Sequence, residues 1–167
     1  MKTAILTIST SVAAGINEDT SGELLAELAQ AAGAEIALKE VVSDDRAAIE
    51  AALRRYIDAG AALVFTTGGT GLTPDDVTPE ATRAVIERDA PGFAEAMRAE
   101  STRLKPLGML SRGVAGTAGG TLIINFPGNP KAIRELFPVI DPTLQHAVAT
   151  LRRGPGGRGA NGGHAGH

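Results

Sequence analysis

Residues 63–80 read LVFTTGGTGLTPDDVTPE, and they join an apolar strand, a glycine turn, two carboxylates and the start of a helix. The segment from Leu63 to Thr67 is apolar or β-branched, as in a central strand covered on both faces. The glycines that follow permit positive φ and a close approach of the backbone to a ligand. Thr78 is a suitable N-cap, and Pro79 suits the first helical position. The stretch therefore predicts an anion-binding turn between a buried strand and a helix that starts at Thr78.

The acidic pair Asp75 and Asp76 decides which anion this turn would accept. Two carboxylates repel a bare phosphate. A divalent cation that binds carboxylate and phosphate oxygens together removes this repulsion. A magnesium nucleotide is thus the natural ligand. A Walker A loop is excluded because no Lys-Ser or Lys-Thr pair follows Gly71, and a dinucleotide fingerprint is excluded because Pro74 stands where it needs a glycine. The alternative is a plain tight connection from strand to helix.

The composition narrows the class of protein. At 167 residues the chain fits one domain, with 43% hydrophobic and 21% charged residues. A net charge of −3 and only 3% aromatic residues argue against nucleic acid or a membrane surface as partners. No cysteine occurs, and the histidines stand at positions 146, 164 and 167, which excludes thiolate or histidine-triad catalysis and argues against a zinc site. The apolar run from Ala4 to Ile8 is too short for a signal peptide or a membrane span, so we expect a cytoplasmic protein.

Strand and helix patterns alternate along the chain. The predicted strands are Ala4 to Ile8, Glu35 to Val42, Ala62 to Thr67 and Thr121 to Phe126, and the predicted helices begin near Ser21, after Asp44, at Thr78, near Phe93 and at Asn129. Such alternation predicts an α/β fold with a mostly parallel sheet, helices on both faces and ligands outside the carboxyl ends of the strands. The domain should span residues 1–151. The glycine-rich segment 152–167 should be a disordered tail, with weak metal or anion binding as its functional alternative.

A second strand, turn and helix start occurs in residues 125–132, which read NFPGNPKA. Asn129 as N-cap and Pro130 at the first helical position present another helix N-terminus to the same edge, where Lys131 could add a charge. The alternative is a capped helix with a solvated lysine. Residues 111–120 are either a ligand-embracing loop, in which Arg112 binds phosphate, or a connection resembling a β-hairpin.

Two further acidic segments have both a structural and a functional interpretation. Asp44 could be an N-cap, with Asp45 favouring the helix dipole, or it could bind magnesium together with Asp76. The segment from Glu18 to Gly22 could be a helix start or a phosphate contact.

Taken together, these motifs resemble the molybdopterin-binding Mog/MoaB family of molybdenum cofactor biosynthesis, to which the gephyrin G domain also belongs. The resemblance extends from the first strand to about Leu151. The motifs that carry it are Thr67-Gly68-Gly69-Thr70-Gly71, Asp76 to Ala81, Ser111-Arg112, Pro127 to Lys131, Asp19-Thr20-Ser21-Gly22 and Val42 to Asp45. Thr10 and Asp75 depart from the family pattern, which often has an acidic residue at the first position and a basic residue or threonine at the second.

The resemblance implies a three-layer α/β/α fold, usually a homotrimer, that transfers the adenylyl group of ATP to the terminal phosphate of molybdopterin and releases pyrophosphate. It places Asp44 and Asp76 at the essential acidic positions, which handle magnesium and the pterin phosphate. The nucleotide and pterin site implied by the motifs consists of Thr67, Gly68, Gly69, Thr70, Gly71, Ser111, Arg112, Pro127, Gly128, Asn129, Pro130, Lys131, Asp19 and Ser21. Such chemistry needs charge neutralisation and in-line positioning rather than a histidine base.

Two other functions are compatible with the same motifs. A binding-only relative would keep the pterin or nucleotide cradle without turnover, and a trimeric scaffold would use the loops for assembly. Other proteins of cofactor biosynthesis are conceivable partners. Consumption of ATP separates an enzyme from the first alternative, and ligand-induced stabilisation separates a binding protein from the second.

Overall fold

The computed structural model describes residues 1–154, in which strands and helices alternate along the chain. The strands are β1 Lys2–Ile8, β2 Glu35–Val42, β3 Leu63–Thr67, β4 Arg88–Asp89, β5 Ala115–Ala118 and β6 Thr121–Phe126. The α-helices are α1 Thr10–Ala13, α2 Thr20–Ala31, α3 Arg46–Asp58, α4 Thr78–Val85, α5 Pro91–Leu104 and α6 Pro130–Leu151, and a 3₁₀ helix spans Pro106–Leu110.

The strands form one sheet in the order β2-β1-β3-β6-β5-β4. β1 pairs in parallel with β2 and β3, and β3 pairs in parallel with β6. β5 is antiparallel to both β6 and the short edge strand β4. The predicted mostly parallel sheet is confirmed. β5 and β6 form a β-hairpin, which was one of the two interpretations of residues 111–120, whereas β4 was not predicted because it has only two residues.

The helices cover both faces of the sheet, as predicted. Alternation along β1 divides the core, because Ile5 packs in the cluster that includes α2, α5 and α6. Leu6 and Ile8 belong to the cluster on the other face, which includes α3 and α4. Phe65 at the centre of β3 meets Phe126 and Phe137 edge to face, with ring centroids 5.4 and 5.8 Å away. The protein is therefore a three-layer α/β/α sandwich.

Two helices have N-cap residues other than those considered from the sequence, although α4 starts at Thr78 as predicted. Asp45, and not Asp44, is the N-cap of α3, and its carboxylate accepts a hydrogen bond from the Ala48 amide at 3.0 Å. Thr78 is the first residue of α4 rather than its N-cap, and the N-cap, Val77, makes no side-chain hydrogen bond. In both cases the predicted capping side chain is used elsewhere in the loops at the carboxyl edge of the sheet.

The first loop contains more structure than the sequence indicated. Ser9 caps the short helix α1 and accepts a hydrogen bond from the Val12 amide at 3.3 Å. α2 begins one residue earlier than predicted, at Thr20, and Asp19 caps it. β1 begins two residues before the predicted start and α5 two residues before its own, which is the usual uncertainty of element ends.

The C-terminal helix α6 begins as predicted, with Asn129 as N-cap and Pro130 at its first position. Just beyond it, the Arg152 guanidinium donates hydrogen bonds to the carbonyls of Gly60, at 2.9 Å, and Gly120, at 3.2 Å. Residues 155–167, which make up most of the predicted disordered tail, lie outside the described residues. Within residues 1–154, no helix has the length and hydropathy needed to span a membrane.

Candidate functional site

Loops at the carboxyl ends of the parallel strands meet at one edge of the sheet. The Ser9 amide after β1 donates to the Val42 carbonyl at the end of β2, at 2.9 Å, and the Gly68 amide after β3 donates to the Phe126 carbonyl at the end of β6, at 3.2 Å. This edge is where a doubly wound sheet binds its ligands. The loops that follow β1, β2, β3 and β6 therefore lie together at this edge.

The glycine turn after β3 has the backbone conformation that its sequence predicts. Gly68 and Gly69 have φ values of +101° and +67°. The buried hydroxyl of Thr78 donates to the Gly68 carbonyl at 2.8 Å, and the Thr78 amide donates to the Gly69 carbonyl at 3.1 Å. The first residue of α4 thus fastens the turn to its own helix, which explains why Thr78 is not a cap.

The two predicted metal ligands flank this turn, and a threonine holds each of them. Asp44 Oδ2 accepts hydrogen bonds from the amide and the hydroxyl of Thr10, at 3.1 and 2.8 Å. Asp76 Oδ2 accepts from the amide and the hydroxyl of Thr73, at 3.0 and 2.8 Å. In both cases these two hydrogen bonds fall on Oδ2, so a threonine fixes the orientation of each carboxylate.

The glycines of the turn keep these carboxylates close to the backbone. A Cβ placed on Gly69 would lie 3.3 Å from Asp44 Oδ1, and one placed on Gly71 would lie 2.8 Å from Asp76 Oδ2. Asp44 therefore lies beside the first half of the turn and Asp76 beside the second. In the described part of the chain, no group of three or more acidic or histidine side chains is arranged to hold a metal.

A pocket of about 350 Å³, here called the Ser111 pocket, opens between the glycine turn, α5, the 3₁₀ helix and the start of α6. Its charged lining residues are Arg98, Lys105, Lys131 and Glu135. The excess of positive charge suits an anionic group. Among the predicted site residues, this pocket brings together Thr70, Gly71, Ser111, Pro127, Asn129 and Lys131.

A second pocket of about 340 Å³, the Asp19 pocket, lies on the β1 side of the turn. It is lined by the predicted residues Asp19, Ser21, Thr67, Gly68, Gly128 and Pro130, and by the first loop with Ser9, Ser11 and Asn17. The Asp19 carboxylate accepts hydrogen bonds from Thr7 Oγ1 and the Gly22 amide, both at 2.9 Å. The Ser21 hydroxyl donates to the Gly128 carbonyl at 2.6 Å. These two side chains therefore shape the pocket wall.

The turns after β3 and β6 form the ridge that separates the two pockets. The Thr67 hydroxyl donates to the Pro127 carbonyl at 2.8 Å. A Cβ on Gly128 would lie 3.3 Å from Gly68 Cα, so the two turns are in direct backbone contact. Groups bound in the two pockets would face each other across this ridge. Asp44 and Asp76 line neither pocket among the described residues and stand beside the ridge instead.

Arg112, predicted to bind phosphate, directs its guanidinium at protein groups. Nε donates to the Gly71 carbonyl at 2.8 Å, Nη2 donates to the Asp76 carbonyl at 2.7 Å, and Nη1 donates to the Glu80 carboxylate. The hydrogen bond from Arg112 holds the pKa of Glu80 below its ordinary value of 4.5. The same pair raises the pKa of the Arg112 guanidinium.

Several residues of the site were not predicted from the sequence, because no local motif marks them. Lys105 and Arg98 reach the Ser111 pocket from α5 and its end. Arg98 donates to the carbonyls of Ser111 and Gly113, at 2.8 and 2.7 Å, and so positions that loop. The pairing of Thr10 with Asp44 joins residues 34 positions apart. Such contacts depend on how α5 and α1 pack, which local patterns do not specify.

The fold and the site define a doubly wound α/β protein whose glycine turns and helix starts form two ligand pockets at the carboxyl edge of a parallel sheet. Residues 4–146 match the family model described as a probable molybdopterin binding domain. The chain belongs to this family, as the resemblance of its motifs predicted.

Relatives of known name align with most of the chain. It is 39% identical over 151 residues to the molybdopterin adenylyltransferase of Helicobacter pylori strain J99, and the match covers 86% of this chain and 84% of that protein. It is 41% identical over 138 residues to the enzyme of the same name from Haemophilus influenzae, covering 81% and 70% of the two proteins. The molybdenum cofactor synthesis protein cinnamon of Drosophila melanogaster is 40% identical over 146 residues, but the match spans only 24% of that protein.

Solved structures agree with the fold. The molybdopterin biosynthesis enzyme MoaB of Thermus thermophilus superposes with a TM-score of 0.85 at 42% identity, over 90% of this chain and 95% of that one. The Mog protein of Mycobacterium ulcerans gives a TM-score of 0.85 at 37% identity, over 90% and 98% of the two chains.

Proposed function

We propose that the protein is a molybdopterin adenylyltransferase of molybdenum cofactor biosynthesis that uses magnesium and ATP. The observation that carries the proposal is the pair of pockets on either side of the glycine ridge, with Asp44 and Asp76 beside it. The similarity to adenylyltransferases of Helicobacter and Haemophilus along most of their length supports the same activity. Two substrates, one in each pocket, would bring their phosphates together at the ridge.

The residues present fit a magnesium ion that is bound partly by substrate. Mg²⁺ in phosphoryl-transfer sites is usually held by one or two carboxylates together with phosphate oxygens and water. Asp44 and Asp76 lie beside the glycine turn, and a threonine hydroxyl fixes Oδ2 of each, so their carboxylates are the groups that would hold the ion. Bound there, the ion would neutralise charge on the phosphates of the transition state.

The transfer itself needs little proton chemistry. An oxygen of the terminal phosphate of molybdopterin attacks the α-phosphorus of ATP, the bond from that phosphorus to the bridging oxygen of the β-phosphate breaks, and pyrophosphate leaves. The chain's contribution is positioning and charge. The cationic Ser111 pocket, with Lys105 and Lys131, would hold a phosphate-bearing group, and the part of the glycine turn that lines it, Thr70 and Gly71, would lie beside the reacting phosphates.

The test is release of pyrophosphate from ATP in the presence of molybdopterin, with and without magnesium. Wild-type protein should release pyrophosphate only with all three present. Asp76→Asn should reduce the rate by at least about a hundredfold, as loss of a group that acts on the transition state does. The protein should stay folded, because Asp76 is only half-buried.

Asp58→Asn is the matched control, because this exposed carboxylate ends α3 and lies far from the carboxyl edge of the sheet. It should release pyrophosphate at the wild-type rate. Folded wild-type protein that binds ATP and molybdopterin without releasing pyrophosphate would instead identify a binding-only relative. Failure of both ligands to raise the melting temperature would favour the scaffold interpretation.

We also propose that the chain assembles as a homotrimer and that the enzyme is cytoplasmic. Exposed apolar side chains on the 3₁₀ helix, namely Leu107, Met109 and Leu110, support association. Sedimentation equilibrium tests the trimer, for which the expected mass is that of three 17.0 kDa chains. Partners from cofactor biosynthesis stay a prediction.

A further inference from the structure

Arg112 closes the loop from Thr70 to Asp76 from both ends. Its amide donates to the Thr70 carbonyl at 2.8 Å, and its Nε donates to the Gly71 carbonyl. Its Nη2 then reaches the Asp76 carbonyl, at the other end of the loop. One residue, remote in sequence from the loop, thus holds the beginning and the end of the segment that carries a proposed metal ligand.

Glu80 fixes the direction of this guanidinium. The Glu80 carboxylate, on the first turn of α4, accepts a hydrogen bond from Arg112 Nη1, and Arg112 Nη2 lies 3.5 Å from its second oxygen. α4 is itself fastened to the glycine turn by Thr78. The helix, the arginine and the loop therefore form one connected unit, in which the guanidinium satisfies two carbonyls and a carboxylate at once.

We propose that Arg112 is a positioning residue, which sets the place of the Asp76 carboxylate by clamping the 70–76 loop, and that it is not a phosphate ligand. The inference rests on the proposed function for the role of Asp76. The part of the inference that concerns the clamp on the 70–76 loop does not depend on any activity. A planar guanidinium is required because its N–H groups point to several acceptors at once, which an ammonium group cannot reproduce.

The first measurement is hydrogen exchange of the amides in residues 70–78, with no ligand present. These amides include Thr73, which donates to Asp76 Oδ2, and Asp76, which donates to the Thr73 carbonyl at 3.0 Å. Arg112→Lys should make them exchange at least roughly tenfold faster, because local opening becomes easier when hydrogen bonds that close the loop are lost. Glu80→Gln is the milder variant, which keeps an acceptor but loses the charge, and should give a smaller increase.

The matched control is Arg103→Lys, because Arg103 makes a two-pronged ion pair with Glu100 on the exposed face of α5. It should leave exchange of residues 70–78 unchanged. Faster exchange in the Arg103 variant, or unchanged exchange in the Arg112 variant, would overturn the clamp. Both variants are conservative, and a far-ultraviolet circular dichroism spectrum checks that each is folded.

The second measurement is the magnesium dependence of pyrophosphate release. Arg112→Lys should lower kcat and raise the magnesium concentration for half-maximal rate by about tenfold or more, because a displaced Asp76 holds the ion less well. A direct phosphate ligand would instead show a raised KM for ATP or molybdopterin with normal exchange of the loop, and that result would refute the proposal. If the wild-type protein releases no pyrophosphate, the proposed function fails, while the exchange result still decides the clamp.

Discussion

Gly68 gives a sharp test of how the glycine turn is held. Its φ is +101°, and a Cβ built on it would lie 2.2 Å from the Ile8 carbonyl oxygen at the end of β1. That oxygen belongs to the backbone of a central strand, so it cannot move aside as a flexible side chain would. Gly68→Ala therefore combines backbone strain with a steric overlap inside the sheet edge.

Gly60 is the matched comparison, because its φ is +76° and nothing lies within 4 Å of a Cβ built there. Gly60→Ala should cost only the strain of a left-handed residue, about 1–2 kcal/mol. Gly68→Ala should cost that strain plus overpacking, together about 2–5 kcal/mol. At about 2–4 °C for each kcal/mol in a chain of this size, the Gly68 variant should melt roughly 2–12 °C below the Gly60 variant.

Urea unfolding of the wild-type protein and both variants, followed by circular dichroism, gives the free energies, and scanning calorimetry gives the melting temperatures. The m-value should be the same in all three proteins, since the surface exposed on unfolding does not change. Equal stability of Gly68→Ala and Gly60→Ala would refute the reasoning, because it would mean that the turn can move away from β1 at no cost.

Single side chains supply three other tests. Asn125→Leu should lower the free energy of unfolding in urea by about 2–4 kcal/mol. The substitution removes the partner of the buried Val114 amide and of the Thr66 and Thr82 hydroxyls. Thr10→Val should raise the magnesium requirement of pyrophosphate release roughly fivefold, since Asp44 loses its hydroxyl donor, and an unchanged requirement would contradict the role of Thr10. The pKa of Glu80 is lowered by Arg112, so its pairing stabilises the folded state above pH 4.5 and is lost as pH falls further. Acid titration of Glu80→Gln should show less loss of stability below that pH, and an identical profile would argue against the pair.

Sequence patterns within single strands and helices were sufficient to predict the architecture of the sheet. The β-branched run of β3 and the alternating helices predicted the parallel sheet, because those signals lie within single elements. The hairpin of β5 and β6 was only one of two interpretations of residues 111–120, because the short AGTA segment has almost no side chains that favour a strand and is fixed by pairing with β6.

Side-chain roles were harder to predict than element positions. Thr78 and Asp44 both looked like N-caps, but the hydroxyl of Thr78 holds the glycine turn and Asp44 is held by Thr10. Each of these bonds joins residues ten or more positions apart. Capping rules consider only neighbours within one turn of helix, so they could not rank the local bond against the distant one.

The sequence by itself determined the order of elements, the glycine conformations after β3 and the helix start at Pro130, because each depends on the torsional limits of the residues concerned. Only the tertiary structure decided that Arg112 faces the carbonyls of Gly71 and Asp76. It also decided that the turns after β3 and β6 touch and so divide the edge into two pockets. Those outcomes depend on distances between elements far apart in the chain, which are set when the helices pack on the sheet.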